Sequence, residues 1–444
     1  MAEHALPPGL PRTPPPLQEV EAILAEVGQA LRASTFAMEG RVQFAQALQQ
    51  RGYQYEALSC MSGTIVPVIG REAFPSNSPT FSIFDPDAAA KGVSVIPLSP
   101  EPKTDGWLPA SIGVGPAPPQ MLARRRWQRS YFVAEIEGGR CVASPWGYAV
   151  FSRDGSYATD FCNNDGPLIP WGGVAPNVVK IPGTVAILPQ TWSNAVYHWL
   201  VESVPRFNLL RLAGFPPEKI DHVVTRSIEP WQWECIDLLG IPREKVGVYG
   251  NGFHIEADRL LVCSNLENYD YSVSPPYLEP EPWVSRALSE LVPDPDPQAE
   301  PTERVYIART NAPSRRVING EELQGFLERN GFRTVLFEEM SMVEKASLLR
   351  RTKVLVSPIG AALAHIPFMR PGTSCVVLYS EDIKVTTGWA LCGNAGVAHI
   401  HVVSPSLARF YPVAISGMPD NTRELLVDIK LMAETMRACG IEVS

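Results

Sequence analysis

The stretch from Lys353 to Tyr379, KVLVSPIGAALAHIPFMRPGTSCVVLY, leaves a chain few ways to fold. It begins with Val354-Leu355-Val356, a β-branched run long enough for a buried strand and too short for a helix. Ser357-Pro358 ends that strand, and Gly360-Ala361-Ala362 follows with almost no side-chain bulk. Ala361 to Met369 is predicted to be a helix bounded by Pro371-Gly372, and Ser374 to Tyr379 the next strand. A strand, a bare loop, a helix and a strand make one βαβ unit. The unpaired N–H groups of such a helix's first turn receive anions, and small residues let a ligand approach them closely. The alternative is a tight packing turn, because the glycine pattern is weaker than a dinucleotide or P-loop fingerprint.

A chain of 444 residues suggests two to three domains and buries a large core without disulfides or metals. The 43 prolines accompany apolar residues throughout, so they read as ordered loops rather than disorder. The net charge of −9 speaks against a nucleic-acid partner. The basic cluster Arg124-Arg125-Arg126-Trp127-Gln128-Arg129 reads as a solvated face, with an anionic membrane surface or acceptor as the functional alternative. Eight cysteines lie far apart with no CxxC or zinc spacing, as buried free thiols do. The N-terminus MAEHALPPGLPRTPPP lacks the basic start and apolar core of a signal peptide, and no window reaches 18 uninterrupted apolar residues. The expectation is a soluble, reduced, cytoplasmic protein.

The chain divides into four parts. Residues 1–120 begin with a Pro-rich leader and continue with a helical extension, with Val20, Ile23, Leu24, Val27 and Leu31 at helical spacing. The end of that extension, FAQALQQRGYQYEALSCM, resembles half of a tetratricopeptide repeat. One copy cannot stack into a solenoid, so the extension is expected to pack on the body or on a second protomer as a homodimer. Residues 121–275 alternate between hairpin signals and helices, which implies an α/β domain. Residues 276–303 lie in a proline-punctuated stretch that reads as a linker. Residues 304–444 alternate regularly: a helix at Gly320 to Arg329 with Asn319 as its cap, another at Ser341 to Arg350 opened by a Ser341–Glu344 capping box, and a last helix over about 421–438 that crosses back to the first domain.

Two further stretches carry chemistry. In Trp192 to Leu212, His198 and Glu202 stand four residues apart, on one face of a helix. An imidazole and a carboxylate so placed hydrogen-bond and suit proton transfer near neutral pH, although a surface ion pair is the plainer reading. In Val305 to Asn319, a strand end supplies Arg309 and a loop supplies Arg315 and Arg316. Three guanidiniums beside a strand's carboxyl end suit a diphosphate; a solvated loop is the alternative.

Taken in order, HWLVESVPRF, YIAR with SRR-I-N, EEMSMVEK, and SPIGAAL with PF and PGT resemble glycosyltransferase family 61 over about residues 190–380. That family includes bacterial capsular-polysaccharide-type transferases, plant xylosyltransferases and animal protein O-linked N-acetylglucosaminyltransferases. The resemblance implies a GT-B-like α/β architecture, two Rossmann-like domains facing a cleft. It also implies inverting transfer without metal from a nucleotide-sugar, UDP-linked, in polysaccharide biosynthesis. Position by position, Asn194, His198 and Glu202 match the motif that faces the reaction, with Asn194 on the acceptor side. Arg309, Arg315, Arg316 and Asn319 match the arginine motif, Glu339 and Glu344 the acidic helix start, and Pro358, Gly360, Ala361 and Leu363 the nucleotide-side loop, in which His365 also stands. The departures are Ile359 in place of a histidine, Ala362 in place of a second glycine, and His365 in place of an asparagine.

The expected activity is therefore transfer of a sugar to a hydroxyl of a glycan, lipid-linked or protein acceptor. Glu202 would accept the acceptor's proton with His198 orienting it or serving as the base. The arginines and the Gly360-Ala361 helix end would stabilise the leaving diphosphate, and Glu339 would hold the ribose. Ile359 and the helical extension motivate a competing expectation, a non-catalytic nucleotide- or glycan-binding partner of another transferase. No GxGxxG follows a strand, which argues against a dehydrogenase.

Overall fold

The computed structural model describes residues 72–73, 79–100, 111–114, 130–144, 147–161, 174–175, 178–188, 195–225, 228–248, 253–266, 280–310, 315–381, 385–405 and 424–444, with residues 22, 50 and 51. Apart from residues 22, 50 and 51, the expected helical extension and its half-repeat lie outside the described residues, as do the Arg124–Arg129 cluster and Asn194.

The first strands are β1 (Glu72–Ala73), β2 (Thr80–Phe81), β3 (Val93–Leu98), β4 (Ile112–Val114), β5 (Tyr131–Glu137), β6 (Arg140–Ser144), β7 (Gly147–Phe151), β8 (Tyr157–Ala158) and β9 (Val174–Ala175). Then come β10 (Val178–Leu188), β11 (His222–Thr225), β12 (Val246–Val248), β13 (Phe253–Cys263), β14 (Glu303–Ile307), β15 (Phe332–Val335), β16 (Thr352–Pro358), β17 (Ser374–Ser380) and β18 (Ala398–Ser404). The helices are α1 (Val196–His198), α2 (Val204–Leu212), α3 (Pro230–Leu238), α4 (Pro282–Leu291), α5 (Gly320–Arg329), α6 (Met342–Arg351), α7 (Thr387–Ala395) and α8 (Ile429–Ala438). A π-turn at Trp199–Ser203 joins α1 to α2, and a 3₁₀ helix, Ala361–Phe368, follows β16.

Among the described residues the first large sheet has ten strands and is mixed. Its parallel part runs β12-β11-β10-β13, and the rest is antiparallel apart from the short parallel pair β2–β8 at the far edge. The long β13 changes partners along its length: Phe253 to Glu256 pair with β6 and Arg259 to Cys263 with β5. So only four of these strands are Rossmann-like, where a wholly Rossmann-like domain was expected. The second sheet, β15-β14-β16-β17-β18-β4, has six strands with every pairing parallel. Its last strand comes from far back in the chain: β4 pairs Ile112, Gly113 and Val114 with Ile400, His401 and Val402. Gly113 permits this approach, since a Cβ there would lie 1.9 Å from the His401 carbonyl oxygen. The C-terminal helix α8, expected to cross back to the first domain, packs against this same β4.

A helical layer joins the two sheets. Residues 276–303, read as a linker, contain α4, with Pro282 in its first turn, where the missing N–H costs nothing. Its Trp283, Val284, Leu288 and Leu291 are buried, each contributing about 1.5–3 kcal/mol of apolar burial. The helix α4 packs against α7, the 3₁₀ helix, α2 and the π-turn, and one hydrophobic cluster runs from Tyr131 and Trp199 through Trp283 to Val305 and Trp389. This mixed α/β arrangement with parallel sheets fits a glycosyltransferase-like fold.

Each sheet has one point at which the order of parallel strands reverses. In the first it lies between β10 and β13, in the second between β14 and β16. Open α/β sheets bind ligands outside the strands' carboxyl ends at such points. The carboxyl end of β10 leads to α1, and those of β14 and β16 lead to Arg309 and Gly360.

Candidate active site

His198 and Glu202 sit where the chain departs from α-helical geometry. Pro205 has no N–H to give the preceding turn and its ring crowds the carbonyl four residues back. The chain answers with a π-turn, in which the Val204 N–H reaches back to the Trp199 carbonyl. Widened turns of this kind recur at functional sites. Within it the His198 Nδ1 and Glu202 Oε2 atoms are 2.8 Å apart, the hydrogen bond expected from their spacing. Their exposures differ sharply: the His198 side chain is 19% accessible, that of Glu202 only 1%. Glu202 is thus buried, with the partly exposed imidazole against its Oε2. A carboxylate accepting Nδ1–H leaves the Nε2 lone pair as the imidazole's proton acceptor.

Across the helical layer, α1 packs directly on the 3₁₀ helix Ala361–Phe368. Pro358 is buried at the end of β16, in register with Leu378, and forms the loop's wall. Gly360 is extended, and a Cβ built on it would lie 2.5 Å from Nη1 and 3.2 Å from Cζ of Arg309. The missing side chain is therefore the space the guanidinium occupies. Burial and the neighbouring Arg315 charge draw Arg309 down to about 10. Two like charges held together out of water favour an anion between them. Arg315 takes a left-handed backbone with φ of 57°, and its buried Nε has no hydrogen-bond partner among the described residues. Burial also lowers its pKa.

Other expected site residues are employed elsewhere. The Arg316 side chain, 56% exposed, pairs through Nε with Glu424 at 3.2 Å. Asn319 holds the expected cap position of α5 but makes no capping bond. Its amide instead clamps Val427, donating to the carbonyl at 2.8 Å and accepting from the N–H at 3.0 Å. Glu344 closes the capping box of α6, accepting from the Ser341 N–H at 2.8 Å. Glu339 is exposed and lines, with Glu344, Thr310, Gln324 and Arg333, a cavity of about 830 Å³ beside β14 and β15. A second, of about 460 Å³, holds Arg309, Arg316 and Asn319.

His365 does not line the loop, as expected, but faces the core. It is 1% exposed, its Nδ1 lies 3.0 Å from the Ala362 carbonyl, and its ring meets Phe337 edge-on at 5.3 Å. Burial, then the nearby Lys345 charge, lowers its pKa to about 3, so the ring is neutral. Ala361 is half-buried at the mouth of the 3₁₀ helix, the segment predicted to be α-helical.

Sequence reasoning missed two residues. Glu234 of α3 caps α6 from the other half of the chain, its carboxylate accepting from Met342 N–H at 2.8 Å and Val343 N–H at 3.4 Å. At 108 residues' separation it leaves no local signal. The other is Arg206, fully buried one turn past Glu202, whose Nε donates to the Glu202 carbonyl at 3.1 Å. Its spacing of four from Glu202 was legible.

Among the described residues no group of three or more His, Cys, Asp or Glu is placed to hold a metal ion, and no helix is long and apolar enough to cross a membrane. A search of curated proteins finds no match to the chain. The model of a protein family described as Glycosyltransferase 61 matches residues 196–376, a span that begins at α1, ends within β17 and contains His198, Glu202, Arg309, Arg315 and Gly360. Over that span the chain is similar to glycosyltransferase family 61, and the match supports a glycosyltransferase.

Proposed function

We propose that this protein is an inverting, GT-B-type glycosyltransferase that moves a sugar from a nucleotide-sugar, UDP-linked, to a hydroxyl of a glycan, lipid-linked or protein acceptor. One observation carries the proposal: α1, which bears His198, packs on the 3₁₀ helix that starts beside Gly360, beneath the Arg309 guanidinium. On this reading a proton acceptor from one switch point serves an anion cradle from the other.

His198 Nε2 takes the acceptor's hydroxyl proton while the acceptor oxygen attacks the anomeric carbon. Glu202, buried beside the ring, holds Nδ1–H and stabilises the imidazolium, as an orienting carboxylate does in other His-based sites. Of the two arrangements expected from sequence, this takes the one with His198 as the base, because its side chain is 19% exposed and that of Glu202 only 1%. The anomeric carbon–oxygen bond breaks on the opposite face, and the diphosphate leaves with the electron pair. Arg309, Arg315 and the first N–H groups of the 3₁₀ helix receive that charge without a metal, and Glu339, in the neighbouring cavity, holds the ribose.

The test is a screen of nucleotide-sugars for release of nucleoside diphosphate, with calorimetry of nucleotide binding alongside. The wild-type protein turns over one donor, and His198→Ala slows turnover by about 10³-fold while still binding nucleotide. A protein that binds no nucleotide is a non-catalytic relative. Unchanged turnover in His198→Ala assigns the base elsewhere.

A further inference from the structure

We propose that Arg206 is a positioning residue that pins the π-turn in the register at which Glu202 meets His198. The inference rests on the reading of His198 as the base. Its grounds are local geometry.

In a regular helix the Glu202 carbonyl would accept the N–H of Arg206, four residues on. At the junction of the π-turn with α2, that carbonyl also meets the Arg206 side chain, whose Nε donates at 3.1 Å inside the protein. Pro205 opens the turn and Arg206 fastens it, so adjacent residues perform complementary tasks. The arginine is fully buried, and its own carbonyl accepts a 3.6 Å contact from the Cys263 thiol of β13, which ties the turn to the sheet. Taking a guanidinium wholly out of water is expensive, and hydrogen bonds from its donors offset part of that cost. Here one is spent on the backbone of the residue that orients the base.

The consequence concerns the His198 tautomer. If Glu202 drifts with an unpinned turn, Nδ1–H loses its acceptor and the imidazole populates the other tautomer, which puts a proton on Nε2 where the acceptor's proton must arrive.

The experiment is nitrogen-15 NMR of the full chain labelled at histidine, with His198 assigned by its absence in His198→Ala. It compares the wild type with Arg206→Met and Arg206→Lys. Lysine keeps the charge but lacks a donor at the Nε position, so it serves where the methionine variant does not fold. Both variants are expected to shift His198 from the Nδ1–H tautomer toward a mixture. The nucleotide-sugar turnover of the lysine variant is expected to fall about 10²-fold, the loss typical of a roughly 1 Å misplacement, with KM for the donor unchanged. A wild-type His198 spectrum in Arg206→Lys overturns the proposal. Wild-type turnover in His198→Ala would overturn the base assignment, while the tautomer measurement would still decide the role of Arg206.

Discussion

Gly360→Ala separates the stability of the donor loop from its chemistry. The backbone there is extended, with φ of 173°, so alanine introduces no strain. Its methyl carbon would stand 2.5 Å from Arg309 Nη1, against an ordinary contact of roughly 3.5 Å, so the guanidinium must retreat by about 1 Å. That atom is the end of a flexible side chain, which moves by rotamer adjustment at about 0.5–1.5 kcal/mol. Stability should therefore fall by about 0.5–1.5 kcal/mol. The function should suffer more. A charge-assisted contact to phosphate is worth about 1.5–3 kcal/mol, and its loss weakens nucleoside-diphosphate binding by about 10- to 150-fold. Thermal unfolding measures the first effect and calorimetry with a nucleoside diphosphate the second; Arg309→Gln should match the second effect. Wild-type affinity in Gly360→Ala would refute the assignment of Arg309 to the leaving group. A loss of several kcal/mol in stability would refute the steric reasoning.

His365 should govern part of the acid limb of stability. Its folded pKa lies near 3 against 6.5 in the unfolded chain, so the unfolded chain gains a proton that the folded one refuses. The stability of the neutral state is whole above pH 6.5 and erodes toward pH 3 by roughly 4 kcal/mol, and His365→Asn should flatten that window in denaturant titrations. Asn319→Ala removes both bonds to Val427 and should cost about 1–3 kcal/mol, exposing the Val427 amide to hydrogen exchange while nucleotide affinity stays intact. Arg316→Ala breaks an exposed pair and should change stability by less than about 1 kcal/mol and nucleotide affinity less than about twofold.

The sequence disclosed elements whose signals are local. The helix Gly320–Arg329 and the Ser341–Glu344 capping box stand where residue spacing put them, because caps and apolar periodicity act within one or two turns. The helix α4 escaped because Pro282 reads as a breaker in a proline-rich stretch, although proline also starts helices and Trp283, Leu288 and Leu291 already marked an apolar face. The change of partner along β13 and the capture of β4 by the second sheet depend on contacts far apart in sequence. Segment 361–368 is apolar on every side, so periodicity could not say that His365 faces the core, and Pro367 inside it favours the short 3₁₀ form over a full α-helix. The same limit applied to Asn319: its type suits a cap, but the Val427 backbone offers it two bonds instead of one.

The claim on which the rest depends is that groups from two sheets act on one reacting centre. A double-mutant cycle in kcat/KM for the donor identified by the screen tests it, using His198→Ala, Arg309→Gln and the pair. Residues serving one transition state are strongly non-additive, so the double variant should be little slower than the slower single variant. Losses that simply multiply would mean that His198 and Arg309 serve separate sites.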